Sequence, residues 1–382
     1  MRYIAITGVS SGIGYEVARH FLDQGDVVFG SVRKPADHER LEAEFGDRFH
    51  ALLFDVTDQQ AIKAAATEVE RILDGQLLTA LVNNAGMALA GPQQLIDDDR
   101  FEHQLRVNVV GLRYVINAFL PLLGASHDRP ASRSPGKIIN MSSISGILNS
   151  PINGSYSIAK HAMESVGEVY RRELMMYGID VVSIQPGPIQ SRIWEKNIGS
   201  MNEFADSDYA PMIERVDKIM EQARKKALPA SVIAKLVERI IESPRPRTAY
   251  IVHTNTWPVY FLSHWLPPRW VDRLVQRQLR DKNETAEAGK GPVVPKFVLK
   301  TIAVLLILYR FTLLPGGMVA LVIGLSMLVC TSLTVALFVQ RCRRRFAFLD
   351  KSLMWLENKL GKRWAGGLMY TRPNADPKEH AR

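Results

Sequence analysis

The chain has 382 residues, of which 47% are hydrophobic, 23% are charged and two are cysteines; this composition excludes a disordered chain and a disulfide framework. The formal net charge of +9 arises in the last quarter, because residues 282–382 hold 16 basic and 6 acidic side chains whereas residues 1–281 hold 32 and 33. These cations flank apolar runs and cover no globular face, so they favour anionic lipid over nucleic acid as a partner.

Short apolar runs alternate with amphipathic segments through the first 255 residues. Segments 13–24, 58–74 and 156–177 are predicted to be helices. The runs predicted to be buried strands are YIAIT (3–7), VVFGSV (27–32), HALLF (50–54), ALVNN (80–84), KIINMS (137–142), DVVSIQ (180–185) and AYIVH (249–253). The alternation predicts an α/β fold with a Rossmann-type, doubly wound, parallel seven-stranded sheet. Because the first strand follows Arg2 at once, we expect no signal peptide before it.

A glycine-rich loop, TGVSSGIG (7–14), follows the first strand. Gly8, Gly12 and Gly14 allow a sharp turn and a close approach of the backbone to a pyrophosphate. The helix that begins near Ile13 adds free N–H groups and the positive end of its dipole. Since the spacing differs from G-x-G-x-x-G, a tight turn that binds nothing is the alternative for the loop taken alone.

Further landmarks follow in a fixed order. They are DVT (55–57), NNAG (83–86), Asn108 in RVNVVG, Ser143 in MSSISG, Tyr156 and Lys160 in YSIAK, and QPGPIQS (185–191). Together with the glycine loop, they resemble the short-chain dehydrogenase/reductase superfamily, in its compact T-G-x-x-x-G-x-G branch, over residues 1–255. The nearest resemblance is to hydroxysteroid and retinol dehydrogenases.

The resemblance implies hydride transfer between a nicotinamide and a carbon bearing a hydroxyl or carbonyl group. It makes Tyr156 the general acid/base and Ser143 the hydrogen-bond partner of the substrate oxygen. Lys160 lies four residues after Tyr156, so the two share a helix face; we expect the ammonium to lower the tyrosine pKa and to hold the nicotinamide ribose. Asn108 would hold a water beside Lys160, although an ordinary asparagine inside a helix is the alternative. We interpret His161 as a packing or surface residue.

The resemblance also implies a set of cofactor contacts. Arg33 and Lys34 stand where NAD-binding proteins place an acidic residue, and a guanidinium suits a 2′-phosphate, so NADP(H) is favoured over NAD(H). Asp37 lies too far along the chain to be assigned to the ribose hydroxyls. The predicted cofactor-binding residues are Gly8, Ser10, Ser11, Gly12, Ile13, Gly14, Arg33, Asp55, Val56, Asn83, Ala85, Gly86, Tyr156, Lys160, Pro186, Gly187, Ile189 and Ser191. No metal site is predicted.

The resemblance also implies that the segment 192–229, which follows the Pro-Gly motif, covers the substrate. Its apolar residues suit a bulky apolar substrate, although half of them can instead pack on the sheet: Trp194, Ile198, Met201, Phe204, Tyr209, Met212, Ile213 and Met220. The predicted function is a membrane-anchored oxidoreductase that interconverts a lipophilic alcohol and carbonyl, such as a steroid, retinoid or long-chain lipid. The alternative is a membrane-tethered NADP(H)-binding scaffold or redox sensor without turnover.

The rest of the chain is predicted to form a membrane anchor. Residues 256–281 extend the first domain as helix, and 282–296 form a linker. Within 297–340, the uncharged run 316–338 is long enough to span a bilayer. There are three alternatives for the segment 297–314. It forms a membrane hairpin with 316–338, it lies in the membrane interface, or it stays outside the membrane so that 316–338 is the single span.

The tail, 341–382, is basic and partly amphipathic, and its helix lies on lipid or packs on the enzyme. Positive charge after the span places the tail and the catalytic domain on the cytoplasmic side. The aromatic residues between Trp257 and Trp270 form an interfacial belt or ordinary packing. Homo-oligomers are common in the family.

Overall fold

Seven parallel strands form one sheet in this computed structural model, which describes residues 1–130, 133–190, 201–254, 256, 259 and 267–279. The spatial order of the strands is β3-β2-β1-β4-β5-β6-β7. Their bounds are β1 (Tyr3–Ile6), β2 (Val27–Val32), β3 (Phe49–Leu53), β4 (Ala80–Asn83), β5 (Lys137–Met141), β6 (Val181–Pro186) and β7 (Ala249–Val252). All seven predicted strands are confirmed, with shifts of at most one residue at their ends.

Helices cover both faces of the sheet. Within the described residues they are α1 (Gly12–Asp23), α2 (Pro35–Phe45), α3 (Gln59–Leu73), α4 (Asp98–Leu105), α5 (Gly111–Phe119), α6 (Gly154–Glu173), α7 (Ala210–Lys225), α8 (Ser231–Glu242) and α9 (Pro268–Leu279). One buried apolar cluster joins α1 and α8 to one face, and a second joins α3, α5 and α6 to the other. The predicted doubly wound Rossmann-type fold is therefore confirmed.

The strand order reverses between β1 and β4, which are hydrogen-bonded neighbours: Ile4 lies opposite Ala80 and Ile6 opposite Val82. At such a reversal the connections leave the carboxyl ends of the two strands in opposite directions, and a crevice opens between them. The glycine loop follows β1 and the NNAG motif follows β4. The fold thus brings these two motifs together at one edge of the sheet.

The last predicted segments lie outside the described residues. These are the linker 282–296, the transmembrane region 297–340 and the tail 341–382. In the part of the chain that the structure describes, no helix has both the length and the apolar character needed to cross a bilayer. Helix α9 falls inside the segment 256–281, where a helical extension is predicted.

Candidate active site

The glycine loop makes a turn that side chains would block. Gly8 and Gly12 have φ angles of +73° and +66°, in the left-handed region where a Cβ is strained. A Cβ on Gly14 would lie 2.3 Å from the Gly8 carbonyl oxygen and 2.4 Å from Asn84 Nδ2. The loop therefore needs glycine at these three positions, as the motif predicts.

Asn84 ties this loop to the end of β4. Its side-chain amide donates hydrogen bonds to the carbonyl oxygens of Thr7, at 2.9 Å, and Gly8, at 3.0 Å. In return, Thr7 Oγ1 accepts hydrogen bonds from the backbone N–H groups of Asn84 and Ala85. Neither Thr7 nor the Asn84 side chain was among the predicted site residues. The second asparagine of NNAG is the one sequence signal that could have pointed to Asn84. Its hydrogen-bond partners cannot be read from the motif, because they lie 76 and 77 residues away in the chain.

The start of α1 presents backbone donors to the crevice. Ser11 is the N-cap residue in an extended conformation, and its side chain makes no capping hydrogen bond. The carbonyl of Ser10 accepts a hydrogen bond from Arg40 on α2 at 3.0 Å, and Ser31 Oγ accepts one from the Gly8 N–H, also at 3.0 Å. The first turn of α1 is thus held in place by its neighbours, so that its N–H groups remain available to an anion.

A cation and a carboxylate stand side by side where β2 and β3 end. Arg33 Nη1 lies 3.7 Å from Asp55 Oδ2, and the Arg33 side chain is 65% exposed. Burial raises the pKa of Asp55, but two hydrogen bonds from Thr57 and the charge of Arg33 outweigh it, so the pKa is lowered overall. Asp37, the acidic residue left unassigned, forms an ion pair with Arg40 at 3.1 Å.

The predicted catalytic residues converge at the carboxyl ends of β4 and β5. Asn108 lies in a π-helical turn, Arg106–Val110, and its side chain holds Met87 through both backbone groups, at 2.9 and 2.8 Å. A Cβ on Gly86 would lie 3.1 Å from Asn108 Oδ1 and 3.9 Å from Lys160 Nζ, so both side chains border the same small space. π-turns of this kind recur at functional sites. Asn108 is therefore placed by a distortion of the helix, next to Lys160, and its role stays a prediction.

Ser143, Tyr156 and Lys160 form the other side of this group. The Ser143 hydroxyl donates to the Pro186 carbonyl at 3.5 Å. Lys160 Nζ donates to the Met141 carbonyl at 2.7 Å and lies 5.7 Å from the centroid of the Tyr156 ring. The side chains of Ser143 and Lys160 are buried. His161 bonds to the Ser157 carbonyl one turn earlier, so it belongs to the packing of α6.

Burial dominates the two titratable groups at this point. It raises the pKa of Tyr156 to about 12, and the nearby Ser143 hydroxyl acts in the opposite direction. Burial lowers the pKa of Lys160 to about 8, against the charge of Glu164, which raises it. The expected lowering of the tyrosine pKa by Lys160 is not observed, because the loss of water around the buried phenol raises the pKa.

The segment after β6 lies at the same edge of the sheet. Pro186 ends the strand, and the Gly187 N–H bonds to the Val252 carbonyl at 2.8 Å; a Cβ on Gly187 would lie 2.2 Å from the His253 ring. Ile189 is buried and pairs with Leu228. Ser191 lies outside the described residues. The Asn83 side chain is buried and donates to Asn140 at 2.9 Å, so it is directed into the sheet layer beneath α6.

A separate apolar cluster includes Ile152, which precedes Tyr156 by four residues. Its buried members are Leu89, Ala90, Ile96, Ile152, Met201, Phe204 and Ile213. Ile152 adopts a φ of +65°, which is rare for a β-branched residue. The Gly91 N–H bonds to its carbonyl at 2.6 Å.

The predicted substrate cover contributes to this cluster. Met201, Phe204 and Ile213 are buried in it, and Tyr209 and Met212 pack against it. Trp194 and Ile198 lie outside the described residues.

Comparison with known proteins decides the family. The family model described as short chain dehydrogenase matches residues 2–201. The NADPH-dependent 3-dehydrocapnine reductase of Ornithobacterium rhinotracheale is 37% identical over 280 residues, which cover 73% of this chain and 98% of that protein. The chain belongs to the short-chain dehydrogenase family.

Two further matches agree with this assignment. The 3-ketodihydrosphingosine reductase of Bacteroides thetaiotaomicron is 30% identical over 279 residues, covering 72% of this chain and 96% of that protein. A solved short-chain dehydrogenase from Streptomyces avermitilis aligns with a TM-score of 0.56 at 21% identity, covering 76% of this chain and 98% of the other, and shows the shared fold. As a short-chain dehydrogenase, the protein is an NAD(P)-dependent oxidoreductase, as the motifs predict.

Proposed function

We propose that this short-chain dehydrogenase reduces a ketone on a long-chain lipid, using NADPH. The observation that carries the proposal is the apolar cluster around Ile152, Phe204 and Ile213, since Ile152 lies four residues before Tyr156 in the chain. An apolar wall of this kind offers no partner to a sugar hydroxyl but matches an acyl chain. Two relatives support the class by name, since one is a 3-dehydrocapnine reductase and the other a 3-ketodihydrosphingosine reductase.

The residues present fit a dinucleotide. The turn at Gly8, Gly12 and Gly14 keeps side chains out of the crevice, and the first turn of α1 directs N–H groups towards a pyrophosphate. Arg33, exposed at the end of β2, is the cation that would meet a 2′-phosphate, with Asp55 beside it. The relative from Ornithobacterium is NADPH-dependent by name, which supports NADPH. When bound, the reduced nicotinamide supplies the hydride to the carbonyl carbon.

Tyr156 is the proton donor in this proposal. Because its pKa is raised to about 12, the phenol keeps its proton throughout the neutral range. It donates this proton to the substrate oxygen as negative charge develops there, and the buried Ser143 hydroxyl donates a second hydrogen bond to the same oxygen. Reduction is the direction that a protonated phenol serves.

Lys160 and Asn108 support the donor. Charged Lys160 stabilises the phenolate that Tyr156 becomes, and the space bordered by Lys160 Nζ and Asn108 Oδ1 beside Gly86 suits a water that returns the proton. Lys160 Nζ donates a hydrogen bond to the Met141 carbonyl. We expect it to turn towards the nicotinamide ribose when the cofactor binds.

The proposal includes an anchor. The uncharged run 316–338 and the basic residues after it would hold the catalytic domain at the cytoplasmic face of a membrane, where a lipid ketone is dissolved. Removal of residues 290–382 is expected to spare reduction of short soluble ketones and to impair reduction of ketones in vesicles. Equal loss on both substrates would show that the segment supports folding instead.

The test is NADPH oxidation by detergent-solubilised full-length protein given long-chain 3-keto lipids. Tyr156→Phe is expected to lose about 10²- to 10⁴-fold in kcat while still binding NADPH. Tyr170→Phe is the matched control, because Tyr170 is a phenol on the same helix and donates a hydrogen bond to the exposed Asn117. Wild-type binding of NADPH without turnover of any long-chain ketone, or full activity of Tyr156→Phe, would overturn the proposal.

A further inference from the structure

Helix α9, Pro268–Leu279, carries three different rows of side chains. Val271, Val275 and Leu279 recur at four-residue steps and are partly buried, which assigns this row to the protein side. Trp270 and Leu274 form the next row around the helix and remain 38% and 43% exposed. Because each residue advances the helix by about 100°, this exposed apolar row lies beside the buried one and faces outward.

Arginines form the third row. Arg269, Arg273 and Arg277 are all exposed and stand one position before the exposed apolar row, on its other flank. The acidic Asp272 lies about 200° around the helix from Trp270. The helix thus has an exposed indole and leucine flanked by three guanidiniums, with the carboxylate on the far side. This pattern is typical of a helix that lies in the interface of an anionic bilayer.

The position of α9 relates this surface to the site. It packs against α7, Ala210–Lys225. Ile213 of α7 is buried in the apolar cluster that contains Ile152. A membrane surface that binds α9 would therefore lie next to α7, which belongs to the segment predicted to cover the substrate.

The course of the chain favours a bilayer over a second copy of the protein. After Leu279, 17 residues lead to Phe297, where the predicted membrane region begins. Fully extended, 17 residues reach at most about 60 Å, so a membrane holding that region stays within a short tether of α9. The arginine row also complements anionic headgroups and would repel the same row of a second copy.

We propose that α9 docks on anionic phospholipid, with Trp270 and Leu274 in the interface and the arginine row on the headgroup phosphates, and so holds the substrate cover at the membrane surface. The docking deepens the proposed function and rests on its lipid substrate and anchor.

The direct test uses full-length protein in vesicles of phosphatidylglycerol and phosphatidylcholine. In a Cys330→Ser/Cys342→Ser background, Leu274→Cys carries an environment-sensitive fluorophore, and brominated lipids report contact. The matched control is Met175→Cys, which is 64% exposed and lies beyond the end of α6. We expect severalfold stronger quenching at position 274, weakened by high salt and by Arg269→Glu/Arg273→Glu/Arg277→Glu. Equal quenching at both positions, or a fluorescence shift in detergent that depends on protein concentration, would overturn the docking.

A kinetic test then separates docking from catalysis. Trp270→Gln/Leu274→Gln is expected to raise KM for a vesicle-borne ketone at least about tenfold, since it removes two apolar side chains from lipid. The kcat on a short soluble ketone should not change, and Met175→Gln/Met176→Gln should leave both unchanged. An unchanged KM in the Trp270/Leu274 variant would overturn the docking. If the proposed substrate class is wrong, the wild type will not turn over the ketone. The quenching experiment still tests the docking in that case, because it does not depend on turnover.

Discussion

Asn84 is expected to set the shape of the cofactor loop. In Asn84→Ala, the carbonyls of Thr7 and Gly8 lose the two hydrogen bonds that the amide donates at 2.9 and 3.0 Å. The amide also fills the space between Gly8 and Gly14. A Cβ on Gly8 would lie 3.3 Å from the Asn84 amide nitrogen, and a Cβ on Gly14 would lie 2.4 Å from it. The substitution therefore leaves a gap at the point where β1 and β4 connect to the site.

The size of the effect follows from these contacts. At about 0.5–1.5 kcal/mol for each lost hydrogen bond, the free energy of unfolding falls by roughly 1–3 kcal/mol. For a domain of this size, each kcal/mol lowers Tm by about 2–4 °C. Because the freed loop must be ordered again when the cofactor binds, we expect the Kd for NADPH to rise by about tenfold, the equivalent of about 1.4 kcal/mol.

The assay combines NADPH titration by fluorescence with thermal unfolding of the same full-length protein, with and without NADPH. Asn117→Ala is the control, because it also removes an asparagine side chain and one hydrogen bond, that of Tyr170 at 2.6 Å, far from the loop. Both variants lose stability, but only Asn84→Ala should lose affinity. A lowered Tm with an unchanged Kd would refute the reasoning, since Asn84 would then stabilise the fold without shaping the loop.

Three further predictions concern buried charge. The folded pKa of Lys160, about 8, lies below its ordinary value, so above pH 8 the folded state binds fewer protons than the unfolded state. Between pH 8 and 9.5, without cofactor, the unfolding free energy of the wild type should therefore rise by about 2 kcal/mol relative to that of Lys160→Met. If urea melts show the same difference between the two proteins at both pH values, the prediction is wrong. Glu164→Gln removes the charge that raises the Lys160 pKa, so the alkaline limb of kcat should move to lower pH, whereas Glu168→Gln, one turn further along and paired with Arg172, should not move it. Lys137 Nζ donates to the Ile240, Ile241 and Ser243 carbonyls at the end of α8, so Lys137→Met should cost about 2 kcal/mol in urea unfolding; no loss would show that water satisfies these carbonyls.

Local patterns were sufficient to predict most of the fold. The seven strands are continuous apolar runs because a parallel sheet is covered on both faces, as the buried Val27–Val32 illustrates. The glycine loop and the Tyr156–Lys160 pair were recognisable because a tight turn and a shared helix face each depend on residues a few positions apart. For the same reason, Ser143 was selected by its spacing to Tyr156.

What the sequence by itself determined is therefore the order of elements, the family and the identities of the residues in its motifs. Only the tertiary structure showed that Asn84 closes the loop after β1, that Arg40 holds the Ser10 carbonyl and that Asn108 sits in a π-turn. It also showed that burial, more than the neighbouring cation, governs the pKa of Tyr156. The physical reason is common to all four. A hydrogen bond to a distant backbone carbonyl and the loss of water around a phenol depend on which segments pack together, and neither leaves a periodic trace in the chain.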